Sequence, residues 1–493
     1  MPFNSLNYLL FLPIVYLVFH FAPERARWVV LIVASLFFYA FLEVPYLLAV
    51  LLLVALTSYG FGIWLDRARS ARARRALLWG GVAANVTILV AMKYLPFLSE
   101  NLRALAALLA LDSQIQPVRA FVAIGVSYYV FQAISYLIDI YLELEKPERH
   151  LGYFALYLSF FPKMLQGPIE RAGDLLPQLK KPYRFDYDNV RYGLLLFLLG
   201  LFKKVVLADR LGLYVDAVYN DVHSFTGLPL VLATYAYALQ IYLDFSGYTD
   251  MALGAARLFD IKLTQNFNQP YLATSVADFW RRWHISFSRW ILDYIFKPLQ
   301  MQWRNWKNWG SAAALVAAFL VSGIWHGASW GFVVWGGLHG LYMAGSVFYR
   351  PYQKKLHKAL GLEKTRLLRC WQVLVTFHLV CFAWIFFRTS TLADAVYVIR
   401  HFAVGAPPTS LTSLKVAIKP LFMSTGFGEF KVLLAAAFVL LIMNQLLCGL
   451  RSGSASLSAI PGYRRWISYY LLAVGVVFFG MYNSASSFIY LQF

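Results

Sequence analysis

The sequence predicts an all-α, polytopic membrane protein with about 12 transmembrane helices. Sixty per cent of its residues are hydrophobic and 14% are charged, whereas about a quarter of the residues in a soluble domain carry charge. Apolar runs recur from residue 6 to residue 490, and no long polar block separates them. The lipid bilayer is therefore the main partner, and a single membrane-embedded domain, 1–493, is expected.

The distribution of charge sets the predicted orientation and argues against a nucleic-acid partner. The formal net charge is +20, but lysine and arginine lie in short loops between apolar runs, and residues 66–75 alone carry five arginines. Basic loops stay in the cytoplasm by the positive-inside rule. This pattern places both termini outside and leaves the basic loops to face lipid headgroups and cytoplasm.

The sequence indicates neither a cleavable signal peptide at the first apolar run nor a disulfide or zinc site at the cysteines. The run 6–21 has no basic residues before it and no small-residue cleavage site after it, so we expect it to remain as the first span. Cys370, Cys381 and Cys448 form no CxxC pair and lie in or beside apolar runs. They indicate neither a disulfide framework nor a zinc site, and no metal is expected.

The predicted spans follow the apolar runs between these loops. The first three spans end before the loops at residues 24–27, 43 and 66–75. The run 151–166 is short for a crossing and contains Pro162 and Lys163, so it is predicted to be re-entrant or interfacial. The remaining predicted spans are 77–98, 118–141, 191–208, 229–249, 311–325, 328–348, 370–387, 431–449 and 467–486.

Two segments place polar side chains where a bilayer tolerates them only beside protein or water. In SFFPKMLQGPIERAGDLLPQL, Gln166 precedes a Gly-Pro turn that breaks an apolar run, and a surface loop explains this equally well. In YALQIYLDFSGYTDMALGAARLF, Gln240, Asp244 and Tyr248 share one helical stripe. Asp244 is at least as well explained by a bond to Tyr248, Ser246 or a neighbouring helix.

A third segment, from residue 266 to 296, combines aromatic and basic residues. Its apolar residues between 279 and 295 recur at helical spacing with arginines interleaved, which predicts an amphipathic helix at the cytoplasmic interface. Such a surface suits an anionic donor such as the phosphates of coenzyme A.

Two histidines lie in apolar surroundings further along the chain. His326 lies in SGIWHGASWG, at the junction of two apolar runs, and a packing role is the main alternative there. His339 would point about 220° away from His326 around one helix, so it is not an obvious partner.

The motifs exclude several common chemistries and leave the histidines and aromatic residues as the candidate functional groups. The chain contains no GxSxG elbow, no GxxxxGK phosphate loop and no HExxH metal motif. A neutral imidazole can take a proton from a hydroxyl as its oxygen attacks a thioester carbonyl. Such a transfer needs no protein nucleophile.

Several motifs together resemble the membrane-bound O-acyltransferase family over nearly the whole chain. They are NFNQPY, DFWRRWHISFSRW, WHG inside an apolar run, FPKMLQGPIER and YLDFSGYTDMA. The segments FFYAF, SYYVFQAISYLIDIY and FAWIFFR are similar to the bacterial branch that contains alginate O-acetylation proteins.

The resemblance implies a funnel-like core where an acyl donor from the cytoplasm meets an acceptor on the outer side. The family's principal catalytic histidine corresponds to His326, for which the resemblance implies the role of general base. The family's second polar position corresponds to His284, which would orient or bind the donor. A shared or reversed assignment of these two roles stays open. The resemblance also implies supporting or donor-binding roles for Gln166, Asp244, Asn266, Asn268, Arg281, Trp283 and Trp325. For each of these residues, hydrogen bonding between helices is the alternative explanation.

The implied function is transfer of acetyl, with acetyl-CoA as donor and no bound cofactor, across the bacterial inner membrane. The acetyl group would reach an exported polysaccharide, alginate-like or cellulose-like, with a periplasmic acetyltransferase partner. Peptidoglycan O-acetylation and D-alanyl export use the same chemistry and stay open. The non-enzymatic alternatives are a polysaccharide or lipid transporter and a secretion scaffold. The acyltransferase is favoured by the paired histidine motifs and by the lack of detectable inverted halves in the sequence.

Overall fold

A computed structural model describes residues 1–111, 116, 118–363, 365–405, 426–451, 460–482 and 488–489. These residues form helices and connecting loops, with no strand anywhere in the described ranges. The all-α prediction is therefore confirmed.

Twenty α-helices are used below to locate side chains. In chain order they are α1 Leu6–Phe21, α2 Arg27–Ala40, α3 Tyr46–Arg67, α4 Ala71–Lys93, α5 Leu95–Leu108, α6 Val126–Tyr141, α7 Leu151–Ser159, α8 Ala172–Lys180, α9 Tyr187–Phe202, α10 Asp209–Tyr219, α11 Leu228–Leu258, α12 Val276–Arg282, α13 Ile285–Ile291, α14 Lys297–Gln302, α15 Lys307–His326, α16 Trp330–Ala359, α17 Arg366–Arg388, α18 Leu392–His401, α19 Gly426–Arg451 and α20 Gly462–Phe479.

Several of these helices can cross a membrane. In the described part of the chain, five helical segments have the length and hydropathy for it: Tyr46–Arg67, Ala71–Lys93, Leu228–Leu258, Arg304–His326 and Arg366–Arg388. A bilayer core requires about 20 apolar residues of helix. The chain is thus a multi-pass membrane protein, and the number of about 12 crossings stays a prediction.

The described residues fall into two compact units. One comprises Met1–Phe197 with Tyr248–Thr264 and Ser487–Phe493, and the other comprises Leu198–Gly247 with Gln265–Ser486. We refer to them as the first and second units. The single membrane domain, 1–493, stays a prediction.

Stacked aromatic rings form part of the core of the first unit. Phe3 stacks on Tyr248 with ring centroids 4.6 Å apart, and Tyr8 packs edge-on against Phe38 at 5.9 Å. All four rings are buried. Large rings bury much apolar area while losing few rotatable bonds, which suits a protein with 18% aromatic residues.

The run 151–166 does not form one helix. Helix α7 ends at Ser159, and the chain continues in turns. Gly167 lies so close to the backbone of Lys163 that any side chain would collide with it. The Lys163 ammonium is buried and donates to Gln132 Oε1 at 2.7 Å. This bond compensates the burial of a polar group inside an apolar unit.

The predicted continuous amphipathic helix between residues 279 and 295 is wrong. Helix α12 ends at Arg282, α13 begins at Ile285, and a π-helical segment Leu292–Phe296 follows. The break occurs at His284, whose backbone is left-handed at φ 42° and ψ 55°. A left-handed residue cannot continue a right-handed helix.

The predicted ends of several spans also differ from the observed helices, and the span predicted to end at residue 249 extends to Leu258. The span predicted to end at residue 208 continues through a π-helical segment, Lys203–Ala208, into α10, which ends at Tyr219. The span predicted to end at residue 348 extends to Ala359, through what was predicted to be a basic loop. Basic residues in the last turns of a helix favour its continuation, because they complement the helix dipole.

Helices α15 and α16 form a tight antiparallel hairpin in the second unit. Gly323 and Gly336 face each other across it, and a Cβ atom on Gly323 would lie 3.1 Å from Gly336 Cα and would collide with the Phe332 carbonyl oxygen. Small residues allow such close backbone contact between membrane helices. The contact fixes the end of α15, where His326 lies.

We expect Gly336→Ala to lower the melting temperature of the full-length protein in detergent. The added methyl group has no space against α15, and overpacking of this kind costs about 1–3 kcal/mol. Gly337→Ala is the matched control, because a Cβ there would meet only Leu320 Cδ2, at 3.8 Å. Equal melting temperatures for the two variants would show that the close contact does not stabilise the hairpin.

Candidate active site

The backbone around His284 is held by an adjacent segment. Asn266 accepts hydrogen bonds at its Oδ1 from the Ser286 amide at 3.1 Å and the Ser286 hydroxyl at 2.7 Å. Its carbonyl oxygen accepts from the Ile285 amide at 2.9 Å, and the Asn268 amide donates to the Arg282 carbonyl at 2.9 Å.

These bonds keep His284 in its left-handed conformation. Such a conformation costs about 1–3 kcal/mol for a non-glycine residue and persists only where the surroundings enforce it. The imidazole of His284 is fully buried. The sequence therefore maintains a strained backbone to hold one buried histidine, a combination typical of functional sites.

His326 is the last residue of α15 and is 3% exposed. The helix ends because Gly327 is extended, with φ −175°. A side chain at Gly327 would collide with the ring of Phe332 on α16. The glycine of the WHG motif thus allows the Phe332 ring to pack against the end of α15, directly beside His326.

The two histidines contact the same two aromatic rings. The Phe287 ring centroid lies 5.0 Å from that of His284 and 5.6 Å from that of His326. The Trp325 ring lies 6.0 Å from His284 and 4.8 Å from His326. Phe287 and Trp325 stack on each other at 4.3 Å. We call His284, His326, Phe287 and Trp325 the histidine cluster.

A shell of further rings surrounds this cluster. The Phe245 ring of α11 packs edge-on against His284 at 4.8 Å. His326 contacts Trp335 at 4.9 Å and Phe387 at 5.4 Å. Sequence reasoning missed these three residues, since aromatic residues at helical spacing are usually ordinary core residues.

His339 also belongs to this shell. Its ring lies 5.1 Å from Trp335, and its Nδ1 accepts a hydrogen bond from Trp280 Nε1 at 3.2 Å. The angle of about 220° applies only within one continuous helix. Here the helix ends at His326 and a new helix begins at Trp330, so both histidines contact the Trp335 ring.

The surroundings of the histidine cluster keep His284 neutral and exclude water. Burial lowers the pKa of His284 to about 3, because an apolar environment disfavours the charged imidazolium. A neutral imidazole offers one N–H donor and one lone pair, so it can bind or orient a polar reactant. An aromatic shell also excludes water, which strengthens each electrostatic interaction inside it.

Comparison with known proteins identifies the family. A sequence model of the family described as MBOAT, membrane-bound O-acyltransferase, matches residues 143–390, which include both histidines. The chain belongs to the membrane-bound O-acyltransferase family. It is therefore an enzyme that transfers an acyl group to a hydroxyl in a membrane environment.

Several relatives match most of the chain. A peptidoglycan O-acetyltransferase of Helicobacter pylori is 33% identical over an alignment of 417 residues, which covers 78% of this chain and 75% of that protein. A probable alginate O-acetylase of Pseudomonas putida is 34% identical over 396 residues, 80% of this chain and 78% of that protein. A teichoic acid D-alanyltransferase of Bacillus subtilis is 27% identical over 316 residues, 62% of this chain and 76% of that protein.

The other predicted site residues of this acyltransferase lie in different places. Trp325 is in the histidine cluster, and Trp283 is buried next to it, with its ring 5.2 Å from that of Trp384. Asn266 holds the His284 backbone through its side chain, whereas Asn268 does so through its amide while its side chain is exposed. Arg281 is exposed and lies 3.6 Å from Asp278.

Gln166 lies in the first unit, where its side-chain amide is buried without a hydrogen-bond partner among the described residues. Asp244 is in the second unit but bonds to a neighbouring helical segment. Its Oδ1 accepts from Lys204 Nζ at 2.7 Å, and Lys204 also pairs with Asp209 at 2.8 Å. The alternative that Asp244 bonds a neighbouring helix is thus observed, while the catalytic roles of the predicted residues stay predictions.

This ion cluster of Lys204, Asp209 and Asp244 is a structural feature of the acyltransferase. All three side chains are at most 3% exposed. A charge buried in an apolar protein costs several kcal/mol unless an opposite charge is in contact with it. The cluster therefore ties the π-helical segment Lys203–Ala208 to α11 at a point next to Phe245.

We expect Lys204→Met to abolish recovery of folded protein by gel filtration in detergent. The substitution leaves two buried carboxylates without their cation, and breaking a buried pair costs about 3–5 kcal/mol. Lys181→Met is the control, since the Lys181 side chain is 60% exposed in its pair with Asp260 and exposed pairs contribute about 0–1 kcal/mol. Similar recovery of both variants would refute a stabilising role for the cluster.

Proposed function

We propose that this acyltransferase transfers acetyl from acetyl-CoA, supplied from the cytoplasm, to a hydroxyl group for the O-acetylation of an exported polysaccharide. The observation that carries the proposal is the histidine cluster, in which two buried imidazoles contact the same pair of rings. The relatives named as alginate and peptidoglycan O-acetylating proteins support acetyl as the group transferred.

The proposed reaction assigns one role to each histidine. His326 removes the proton of the attacking hydroxyl while its oxygen forms a bond to the thioester carbonyl carbon. The carbon–sulfur bond then breaks, and the coenzyme A thiolate takes the proton from the His326 imidazolium. His284, neutral because it is buried, orients the donor or the acceptor by a hydrogen bond.

The acceptor that we favour is an alginate-like or cellulose-like polymer, reached with a periplasmic acetyltransferase partner. The alginate relatives match 80% of this chain. Peptidoglycan is the second candidate, because the Helicobacter pylori relative matches at a similar identity. D-alanyl export has less support, since the D-alanyltransferases are 27% identical over 54 to 62% of this chain.

The proposal places the enzyme in the bacterial inner membrane. There about 12 helices would surround a funnel that connects the two sides. The basic loops between apolar runs favour a cytoplasmic position for the donor side. Broken helical segments such as the α12–α13 corner suit the lining of a polar cavity at membrane depth.

We expect His326→Ala and His284→Ala to reduce the acetyl content of the exported polymer. Loss of a general base lowers the rate by about 10²–10⁴-fold, which would bring His326→Ala close to the level of a deletion strain. The measurement is acetyl released by mild alkali from purified exopolysaccharide and, separately, from peptidoglycan, in strains with equal membrane levels of each variant.

The matched control is His378→Ala, because His378 is an exposed histidine on α17 that bonds to Tyr235. The polymer whose acetyl content falls identifies the acceptor. Unchanged acetyl content in both polymers with His326→Ala would mean that His326 is a packing residue and would contradict the proposed mechanism.

A further inference from the structure

A large apolar cavity lies beside the histidine cluster, inside the second unit. Its volume is about 530 Å³, within the range of pockets that bind small organic ligands. Most of its walls are aliphatic or aromatic side chains. They include Ile285, Leu292, Phe296, Leu315, Ala318 and Met343.

One aromatic ring contacts both this cavity and the two histidines. Phe287 lines the cavity and also packs against the rings of His284 and His326. Ser322 lines the cavity as well and lies one helical turn before His326 on α15. Neither histidine is among the described residues that line it.

The Phe287 ring is fixed in this position. It is 1% exposed and stacks on Trp325 at 4.3 Å. Helix α13, which carries Phe287, begins directly after the left-handed His284. The backbone that fixes His284 therefore also fixes the Phe287 ring at the wall of the cavity.

We infer that Phe287 is a specificity-determining residue that limits the donor to a short acyl group. This inference rests on the proposed function. An acetyl group ends in one methyl, which fits beside the histidines, whereas each further methylene of a longer chain would collide with the Phe287 ring. Without the ring, the chain could extend into the cavity and bury its methylenes against apolar walls.

The chemistry of transfer is the same for a longer donor. The acceptor oxygen bonds to the thioester carbon, the carbon–sulfur bond breaks, and the hydroxyl proton passes through His326 to the thiolate. Only the position of the alkyl chain changes. Chain length is therefore separable from catalysis, and substitution at Phe287 should add a substrate rather than only remove activity.

The test compares acetyl-CoA with octanoyl-CoA as donors for full-length enzyme in membrane vesicles from producing cells. The measured quantity is the release of coenzyme A thiol above that of His326→Ala vesicles. Phe287→Ala and Phe287→Leu are expected to raise the ratio of octanoyl to acetyl turnover by about tenfold or more over wild type, which is the scale of discrimination that a hydrophobic pocket provides.

Two further variants distinguish the effect of the Phe287 ring from the effect of the cavity volume. Phe296→Ala removes a ring that lines the same cavity and packs against neither histidine in the described part of the chain, so its donor ratio should stay at the wild-type value. Ala318→Phe, combined with Phe287→Ala, refills the cavity from α15 and should return the ratio towards wild type.

The outcomes distinguish this inference from the proposed function. If wild-type vesicles release no thiol from acetyl-CoA above His326→Ala vesicles, the proposed function fails and the inference fails with it. If wild type is active and both Phe287 variants keep its donor ratio, the inference alone is overturned. Loss of both donors in both Phe287 variants also overturns it, because the inference requires the enlarged site to accept octanoyl-CoA.

Discussion

The close backbone contact between α15 and α16 at Gly323 and Gly336 determines where His326 lies. The contact brings the start of α16 against the end of α15, so that Phe332 fills the space that a side chain at residue 327 would need. Trp335, one turn further along α16, then packs against the His326 imidazole at 4.9 Å. The position of one candidate catalytic group thus follows from the absence of side chains at two glycines.

A second constraint brings His284 to the same place. The Asn266 side chain and backbone hold the corner between α12 and α13, and this corner turns the His284 ring towards Phe287. Hydrogen bonds within a buried polar loop offset the cost of its unusual backbone. His284 lies at the break between α12 and α13, whereas His326 is the last residue of α15, yet Phe287 and Trp325 contact both histidines.

Hydropathy was sufficient to predict the all-α class and the approximate position of most helices, because apolar runs are long and uninterrupted. It did not predict where helices continue or break. The π-helical segment Lys203–Ala208 keeps α9 and α10 in one helical run, and the break at His284 interrupts a pattern whose aromatic spacing continues unchanged. Periodicity shows which side chains are apolar, but it does not show the backbone angles. A single left-handed residue can therefore end a helix while the apolar pattern continues.

The candidate site was predictable only where a motif marked it. His284 and His326 lie in motifs that resemble the family, whereas Phe245, Trp335 and His339 have no such marker and were identified from their ring contacts.

The pairing of Lys204 with Asp209 has a consequence for biosynthesis. The two residues are five positions apart in one helical run, so their 2.8 Å ion pair can form as soon as that run is synthesised. Asp244 follows 40 residues later, on α11. The lysine can therefore leave the translocation channel as a neutral pair rather than as a bare cation, which lowers the cost of its entry into lipid. The arrival of α11 then adds a second carboxylate to a charge that is already paired.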